Sequence, residues 1–307
     1  MKRILVTGAN GLVGSSLRRK SQNQTGAEWI FVDRKVCNLV DQKQVENLFK
    51  ETKPTHVIHT AARVGGIGRN LETPADQFVE NVLMNTFVLE SARKAEVKRL
   101  LAFSSVCAFP ADASFFEEEN LHAGPPFPAH GSYAYAKRMV DIQIESYKKQ
   151  YGLEYCSVIP GNIFGENDNF NLKDGHVVPS LVHKSYIAKQ EGKRLSVWGD
   201  GSALREFIYV DDLANICYNL LEVETVPQRI IVSGPEIRIS NIAEWIAKYA
   251  GLDGIEWDTT KPTGQSRRVT KSNVFSSTFP GYEFSSIESG IERTVEWFFS
   301  NYQEARK

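Results

Sequence analysis

Tyr133, Lys137 and Ser105 are the residues of this chain whose types and spacing suit proton-coupled hydride transfer. Tyr133 and Lys137 are four positions apart, so a helix would place both on one face. An ammonium beside a phenol favours the phenolate and lowers the tyrosine pKa from its ordinary value of about 10. Such a phenol can exchange a proton with a substrate oxygen, and Ser105 could hydrogen-bond the same oxygen. Tyr135 is a second phenol, but it lies two residues from Lys137 and would point elsewhere.

A glycine-rich loop near the start of the chain would place a nucleotide beside these residues. The segment VTGANGLVGSSL sets Gly8, Gly11 and Gly14 between an apolar run and a helical pattern. This spacing allows a tight turn, a close backbone approach to a pyrophosphate, and phosphates facing the start of a helix. A YxxxK pair alone is common by chance. The catalytic prediction therefore depends on the glycine loop and the strand-end serine preceding it.

Two neighbouring residues give opposite indications about which dinucleotide binds. Asp33 ends the second apolar run, 19 residues after Gly14, where an acid would hydrogen-bond a ribose 2′-hydroxyl and favour NAD. Arg34 follows at once and could pair with a 2′-phosphate, which favours NADP. Arg18 and Arg19 would add positive charge nearby. The residues alone leave this choice open.

Cys107 is the one side chain near Ser105 that a simple dehydrogenase would not need. It stands two residues after that serine, in SSVCAFP. An isolated cysteine at a strand end is most often a small buried hydrophobe. A thiolate could also take a proton from carbon. Both interpretations stay open on the residue alone.

The elements that would position these residues alternate between strand and helix. Apolar runs indicate strands at 3–7, 29–33, 56–62 and 99–105, and 154–165 is expected to be a strand followed by a loop. Helical spacing is found at 45–51, 78–95 and 132–152. Ser132 is expected to cap the last of these helices and Gly152 to end it. This order predicts an α/β fold: a Rossmann-type doubly wound parallel sheet with a smaller C-terminal α/β domain. We expect residues 1–165 to form the dinucleotide-binding domain, with about 195–222 returning to it, and 166–194 and 223–307 to bind substrate.

Composition and charge exclude several other classes of protein. The chain has 307 residues, 42% of them hydrophobic and 24% charged, with a net charge of −1. A nucleic-acid binder would usually carry a basic excess. No apolar run approaches the roughly 18 residues of a membrane helix, and MKRILVTGANG is not a signal peptide. The four cysteines are scattered without a CxxC pair, which favours reduced thiols in a cytoplasmic protein and no metal site.

Longer segments are similar to one enzyme family. They are HTAARVGGIGRN, SSVCAFP, SYAYAKRM, GNIFGENDNFNLKDGHVVPSLVHK and VWGDGSALREFIYVDDLA. Through them the chain resembles, essentially end to end, the GDP-L-fucose synthase family of the extended short-chain dehydrogenases/reductases. The resemblance implies that GDP-4-keto-6-deoxy-D-mannose is epimerised at C3 and C5 and then reduced at C4 with NADPH. It also implies a homodimer formed through a four-helix bundle, for which the helices at 78–95 and 132–151 are the candidates.

The resemblance further implies a role for individual residues. Ser105, Tyr133 and Lys137 match the reductase triad, Cys107 the epimerisation base, and His176 its acid partner. The expected NADP-binding residues are Gly8, Gly11, Leu12, Val13, Gly14, Asp33, Arg34, Ala61, Ala62, Tyr133, Lys137, Pro160, Asn162, Ile163 and His176. The expected GDP-sugar-binding residues are Asn162, Val177, Lys184, Trp198, Arg205 and Arg268, with Arg267 beside the last. Arg34 becomes the expected 2′-phosphate partner, while Asp33 departs slightly from the pattern and leaves some use of NADH open.

The chemistry of a 4-keto sugar agrees with these roles. Carbons beside a ketone are acidic, and Tyr133 and Ser105 could stabilise the resulting enolate. Inverting a centre needs one group to remove a proton and another to deliver one on the opposite face, which suits a thiol and an imidazole. His59 and His183 are expected to be structural or peripheral.

Other functions remain open from the sequence. The enzyme could act on a related GDP-4-keto sugar, such as a dideoxy or heptose analogue, or reduce without epimerising. Retention of both Cys107 and His176 argues against reduction alone. A non-catalytic nucleotide-binding regulatory protein on the same fold would be expected to have lost part of the triad.

Overall fold

The fold is organised around a six-stranded parallel sheet. The computed structural model describes residues 1–260 and 269–307. Within them the strands are, in chain order, β1 (Lys2–Thr7), β2 (Ala27–Val32), β3 (His56–His59), β4 (Arg99–Phe103), β5 (Phe115–Phe116), β6 (Glu154–Pro160), β7 (Asn162–Phe164), β8 (Leu195–Trp198), β9 (Leu204–Tyr209), β10 (Arg229–Val232), β11 (Glu236–Arg238), β12 (Ile255–Asp258) and β13 (Val269–Thr270).

The order of strands in the sheet is β2-β1-β3-β4-β6-β10, and every neighbouring pair is parallel. The chain passes from β1 to one side and then crosses to β3 on the other side. This reversal is the switch point at which doubly wound sheets bind ligands. The predicted Rossmann-type fold class is confirmed.

Helices cover both faces of this sheet. In the described residues they are α1 (Leu12–Ser21), α2 (Gln42–Thr52), α3 (Ile67–Glu72), α4 (Pro74–Lys94), α5 (Gly131–Tyr151), α6 (Val177–Glu191), α7 (Val210–Leu220), α8 (Ile239–Ala250), α9 (Asn273–Thr278) and α10 (Ile287–Ser300). Successive strand residues face opposite sides. Ile4 and Val6 therefore pack in the cluster that includes α1 and α7, whereas Leu5 packs in the cluster that includes α2, α4 and α5. None of the helices described has the length and apolar character of a membrane span.

The helix α5, which carries Tyr133 and Lys137, begins differently from the prediction. It starts at Gly131, directly after a 3-10 turn at Pro128–His130, so Ser132 lies inside the first turn and is not its cap. Gly152 ends the helix as expected, with a left-handed φ of 69°.

Two strands differ from the predicted division of the chain. The strand β10 joins the six-stranded sheet beside β6, although residues 223–307 were expected to belong to the substrate-binding domain. The strand β8 pairs with β12 in a separate two-stranded sheet, although about 195–222 was expected to return to the dinucleotide-binding domain. Later in the same stretch, α7 packs against α1. Short strands carry too little sequence signal to reveal their partners.

A buried cluster of charged groups fastens α5 to the edge strand β10. The Asp141 carboxylate on α5 is fully buried. It accepts a hydrogen bond from Arg229 Nε at 2.9 Å and lies 2.8 Å from His122 Nε2. Arg229 also contacts Glu145, one turn further along α5, at 3.0 Å. Burial of a carboxylate is costly unless it is paired, so Arg229 compensates a charge inside the fold.

We expect Arg229→Ala to destabilise the chain by about 3 kcal/mol, because it leaves Asp141 buried with His122 alone. Urea unfolding at neutral pH measures this loss. Arg3→Ala is the matched control, since Arg3 pairs with Glu28 at the surface and its loss should change stability by less than about 1 kcal/mol. Equal effects of the two substitutions would show that the buried cluster carries no special weight.

Candidate active site

The predicted catalytic residues lie where the parallel strands end. Thr7 is opposite His59 in the sheet register, and Phe103 is opposite Val158, so the loops after these strands emerge at one edge. The glycine loop follows β1, and the segment with Ser105 and Cys107 follows β4. Carboxyl ends of parallel strands are the usual ligand site in open α/β sheets.

A hydrogen bond between Lys137 and the end of β4 joins the two halves of the predicted triad. Lys137 is 1% exposed, and its Nζ donates to the Phe103 carbonyl at 2.7 Å. The same nitrogen lies 5.7 Å from the centre of the Tyr133 ring. The hydroxyl of Ser105 hydrogen-bonds Tyr133. The structure thus brings Ser105, Tyr133 and Lys137 together, as the order of motifs predicted.

The protonation of Tyr133 differs from the prediction. Burial raises the pKa of the phenol, the nearby Cys107 raises it further, and the Ser105 hydrogen bond only partly opposes both. Burial also lowers the pKa of Lys137 to about 8. The expected lowering of the tyrosine pKa by Lys137 is therefore outweighed by burial in this chain. A phenol that stays protonated at neutral pH is suited to donate a proton.

Cys107 lies beside the triad in a 3-10 turn, Val106–Ala108. Its backbone N–H donates to Ser105 Oγ at 3.2 Å, and its side chain is half-buried. The other three cysteines, Cys37, Cys156 and Cys217, are buried in the core. Because packing cysteines are buried and Cys107 is partly accessible beside reactive groups, its environment favours chemistry over packing.

His176 stands at the N-terminal end of α6, in the second half of the chain. The side chain is exposed, but the surrounding protein still desolvates the imidazolium and lowers its pKa, and the charge of Arg306 lowers it further. The imidazole is therefore mostly neutral at neutral pH in the chain alone. It would need an anionic neighbour to hold a proton.

The glycine loop has the shape that a dinucleotide pyrophosphate requires. A Cβ on Gly8, whose φ is +72°, would lie 2.7 Å from the Ala61 backbone nitrogen. A Cβ on Gly14 would lie 2.3 Å from the Gly8 carbonyl oxygen. Gly11 directly precedes α1, which begins with Leu12 and Val13. The N-terminus of this helix therefore lies at the loop. Only glycine fits at positions 8 and 14 of this loop, so the residues present fit the cofactor.

Other predicted cofactor residues surround this loop. Arg34 is exposed, while the Asp33 carboxylate already accepts a hydrogen bond from Asn10 Nδ2 at 2.6 Å. Ala61 and Ala62 follow β3 after Thr60, and Pro160 is the buried last residue of β6.

The predicted GDP-sugar residues lie on the second group of elements. Lys184 Nζ lies 4.8 Å above the ring of Trp198, whose side chain is 58% exposed. Arg205 lies on β9, and Val177 opens α6. Asn162 and Ile163 begin β7, and the Asn162 amide donates to the Glu206 carbonyl at 2.7 Å. Arg267 and Arg268 lie outside the described residues.

Several supporting residues were not predicted. Glu206 accepts hydrogen bonds from Ser233 Oγ at 2.9 Å and from the Thr270 N–H at 3.1 Å, and so joins three segments around Asn162. Asn81 on α4 holds both polar atoms of the Arg63 backbone at 3.0 Å, which fixes the loop after β3. For Glu206 and for Asn81, the only sequence signal was a single polar residue within an apolar pattern.

His59 has the structural role that was expected, at a place close to the site. It is buried at the end of β3 between the Thr7 hydroxyl at 2.7 Å and the Asn85 amide at 3.0 Å. Burial, with the charge of Lys137, lowers its pKa to about 3, so the imidazole stays neutral.

A surface cavity of about 710 Å³ lies at the opposite, amino-terminal edge of the sheet. Lys2, His56, Lys98, Arg99 and Glu222 are among its lining residues, and none of the predicted site residues is. Lys2 pairs with Glu222, and Arg99 pairs with Glu154 at 3.0 Å. The internal pairing and the position at the amino ends of the strands argue against a catalytic role.

Burial of Lys137 makes the stability of the chain depend on pH. Its pKa is about 8 in the fold and about 10.4 in an unfolded chain, so the unfolded state binds more protons between these values. The free energy of unfolding should therefore rise through this window relative to Lys137→Met, by roughly 3 kcal/mol in all. Urea unfolding from pH 7.5 to 10.5 measures it. Lys43→Met, at an exposed position, is the control, and parallel pH curves for wild type and Lys137→Met would contradict desolvation of this amine.

Comparison with known proteins agrees with this geometry. The model of the NAD dependent epimerase/dehydratase family matches residues 4–234. The GDP-L-fucose synthase of Dictyostelium discoideum is 37% identical over 311 residues, which cover 99% of this chain and 97% of the relative. The GDP-L-colitose synthase of Yersinia pseudotuberculosis is 32% identical, covering 97% and 98%. A solved GDP-L-fucose synthetase from Naegleria fowleri bound to NADP has a TM-score of 0.94 and 34% identity, covering 100% of this chain and 95% of that chain. The family model and these full-length similarities, together with the glycine loop, show that the chain belongs to the NAD dependent epimerase/dehydratase family.

Proposed function

We propose that this protein converts GDP-4-keto-6-deoxy-D-mannose into GDP-L-fucose, by epimerisation at C3 and C5 and NADPH-dependent reduction at C4. The observation that carries the proposal is the half-buried Cys107 thiol beside Ser105, Tyr133 and Lys137. Ketone reduction needs only the triad, whereas inversion of a stereocentre also needs a base. The names of the relatives from Dictyostelium and Naegleria, and the NADP in the latter structure, support the same substrate and cofactor.

In the reduction, residues of this chain donate the proton and orient the ketone. Bound NADPH supplies the hydride that C4 receives. The Tyr133 phenol gives its proton to the C4 oxygen, and its raised pKa keeps that proton available at neutral pH. Ser105 donates a second hydrogen bond to the same oxygen. Lys137, tied to Phe103, holds positive charge near the phenolate that forms.

In the epimerisation, two groups on opposite faces of the sugar ring handle two different protons. The Cys107 thiolate removes the proton from the carbon beside the ketone and becomes a thiol, and the electron pair of the broken C–H bond moves to the C4 oxygen. Tyr133 and Ser105 stabilise this enolate with hydrogen bonds. His176 then delivers a proton to the other face and the new C–H bond forms. Because its pKa is lowered in the chain alone, His176 needs the negative diphosphate of the substrate to be charged.

The GDP-sugar would be held by the second group of elements. Arg205 is suited to a diphosphate because a guanidinium donates two parallel hydrogen bonds. Lys184 and Trp198 together offer a cation and an exposed ring face. Asn162, oriented by Glu206, and Val177 would contact the sugar side, and Arg267 and Arg268 are proposed as further diphosphate partners.

A homodimer is proposed from the helix pair α4 and α5. These two helices pack against each other. On α5, Tyr135, Met139 and Ile142 are exposed and lie on one face, and α4 exposes Phe78 and Val79. Apolar faces of this kind mark protein interfaces, and a second copy would cover them as a four-helix bundle.

We place the reaction in the cytoplasm. All four cysteines lie in the described residues and none forms a disulfide, which suits a reducing compartment.

A second candidate is the same chemistry on a related GDP-4-keto sugar. The 32% identity to a GDP-L-colitose synthase over almost the whole chain favours keeping it. A non-catalytic regulatory protein is disfavoured because Ser105, Tyr133 and Lys137 all remain in contact.

The assay that tests the proposal supplies GDP-4-keto-6-deoxymannose with NADPH and identifies the product by NMR. Wild type should yield GDP-L-fucose. We expect Cys107→Ser to lose epimerisation, because a hydroxyl barely ionises, while its triad reduces the unepimerised ketone slowly. Its product should be the 6-deoxy sugar of the starting series.

Tyr133→Phe is the matched control for this experiment. It keeps the ring but loses the proton donor, so reduction should fall by roughly 10²–10⁴-fold while GDP-sugar binding persists. Fucose made by Cys107→Ser at the wild-type rate would reject Cys107 as the base. A wild type that consumes no NADPH with this substrate would reject the proposed reaction.

We expect Ile142→Lys to convert the dimer into monomers, because it places a charge on the apolar face. Light scattering coupled to size-exclusion chromatography measures the mass. Leu172→Lys, at an exposed leucine outside these two helices, should leave the dimer intact. A monomeric wild type, or an Ile142→Lys protein that remains dimeric, contradicts the proposed interface.

A further inference from the structure

We infer that Asp33 selects NADPH by holding the turn that presents Arg34 and Lys35, and not by binding a ribose hydroxyl. An acid at this position was the one sequence signal in favour of NAD. The inference rests on the proposed cofactor, and it assigns a positioning role to Asp33 and to its partner Asn10.

The Asp33 carboxylate is already occupied by hydrogen bonds from within the chain. Its Oδ1 accepts from the Lys35 N–H at 2.9 Å and from the Val36 N–H at 3.1 Å. Its Oδ2 accepts from Asn10 Nδ2 at 2.6 Å. These hydrogen bonds, led by that of Val36, hold the pKa of Asp33 below its ordinary value. Three of about four acceptor positions on the carboxylate are therefore in use.

The backbone of Asp33 fixes the same turn. The Val36 and Cys37 N–H groups donate to the Asp33 carbonyl at 3.2 and 3.1 Å. The Cys37 side chain is buried in the core on the far side of the turn. Arg34 and Lys35 lie between these two anchored ends, and both are exposed. The result is a fixed turn with two cations on its outer surface.

Asn10 connects this turn to the pyrophosphate loop. Asn10 lies between Gly8 and Gly11, in the glycine loop. Next to it, the Ala9 N–H donates to the Val32 carbonyl at 3.2 Å, directly before Asp33. The bond between Asn10 and Asp33 therefore sets the position of the two cations relative to the place of the phosphates.

Charge decides how this arrangement treats the two cofactors. A 2′-phosphate carries about −1.5 to −2 charges at neutral pH, by analogy with other phosphate monoesters. Arg34 and Lys35 supply two positive charges, against one negative charge on Asp33 that faces the N–H donors of its own turn. NADH has no 2′-phosphate to use these cations.

The two possible roles of Asp33 predict opposite effects of its removal. If Asp33 bound the ribose, Asp33→Ala would weaken the binding of NADH. It would also remove the repulsion between the carboxylate and the 2′-phosphate of NADPH. If Asp33 holds the turn, Asp33→Ala releases Lys35, Val36 and Asn10. NADPH should then bind about tenfold more weakly while NADH changes by less than about twofold.

The experiment measures Kd for NADPH and for NADH by isothermal titration calorimetry on the full chain without any sugar. We expect Asn10→Ala to weaken NADPH in the same direction as Asp33→Ala, because it removes one of the three bonds. Asp33→Ser should largely restore NADPH binding, since a serine hydroxyl can accept from the same turn N–H groups without carrying a charge. Thermal unfolding of each variant reports whether it is folded.

Asp41→Ala is the matched control. Asp41 caps α2 with the same kind of bond, from the Gln44 N–H at 3.1 Å, and lies outside the cofactor residues. It should lower the melting temperature without changing the ratio of the two Kd values.

Three results would overturn the inference. Asp33→Ala could bind NADH more weakly and NADPH more tightly, or it could bind both cofactors more weakly by the same factor. Asp33→Ser could also fail to restore the binding of NADPH. If Asp33→Ala does not fold, Asn10→Ala and Asp33→Ser decide by the same ratio. A wild type that binds NADH more tightly than NADPH contradicts the proposed cofactor. A sugar product other than fucose contradicts the proposed substrate and leaves these Kd values standing.

Discussion

The hydrogen bond from Lys137 to the carbonyl of Phe103 is the interaction on which the site depends. It joins the catalytic helix to the last residue of the central strand β4, and it does so inside the fold, where a lost partner is costly. Ser104 adds a second tie, because its hydroxyl donates to the Lys137 carbonyl at 3.1 Å. Since Ser105 and Cys107 follow directly, the position of the thiol relative to the phenol is set by this junction of helix and strand.

The second half of the site is held from outside by aromatic packing. Phe170 stacks against Phe298, with ring centres 4.3 Å apart, and its N–H donates to the Arg306 carbonyl at 2.8 Å. His183 donates from Nδ1 to the Phe170 carbonyl at 2.8 Å, which fixes α6 to the same loop. The loop that leads to His176 is therefore fastened to α6 and α10. The same contacts hold Arg306, whose charge lowers the pKa of His176.

The sequence predicted the parts of the fold whose signals are local, and it indicated the residues that the fold brings together at the candidate site. The strands that end near Thr7, His59 and Phe103 are apolar runs, and the glycine loop and the Tyr133–Lys137 pair have fixed spacings. Partners far apart in the chain left no such signal. The strand β10 is four residues long, and nothing in RIIV shows that it lies beside β6.

Protonation and hydrogen-bond partners were also beyond the sequence. A lysine four residues away suggested a lowered Tyr133 pKa, but the fold buries the phenol and raises it. Asp33 matched an NAD pattern, yet its carboxylate is turned toward its own backbone and Asn10. In both cases the sequence shows only the residue type, and the surroundings of the residue, which come from the tertiary structure, decide its chemistry.

The ion cluster around Asp141 has a consequence for the order in which the enzyme matures. Asp141 and Arg229 are 88 residues apart, so a ribosome finishes the triad, the glycine loop and all of α5 well before it makes the arginine. Until then the helix carries a carboxylate that the closed fold would bury with His122 alone. Tight docking of α5 onto the sheet is therefore disfavoured in the nascent chain. Helix α5 becomes fixed only when the sixth strand arrives, which delays a competent triad until the residues proposed to hold the sugar nucleotide, from Asn162 to Arg205, have already been made.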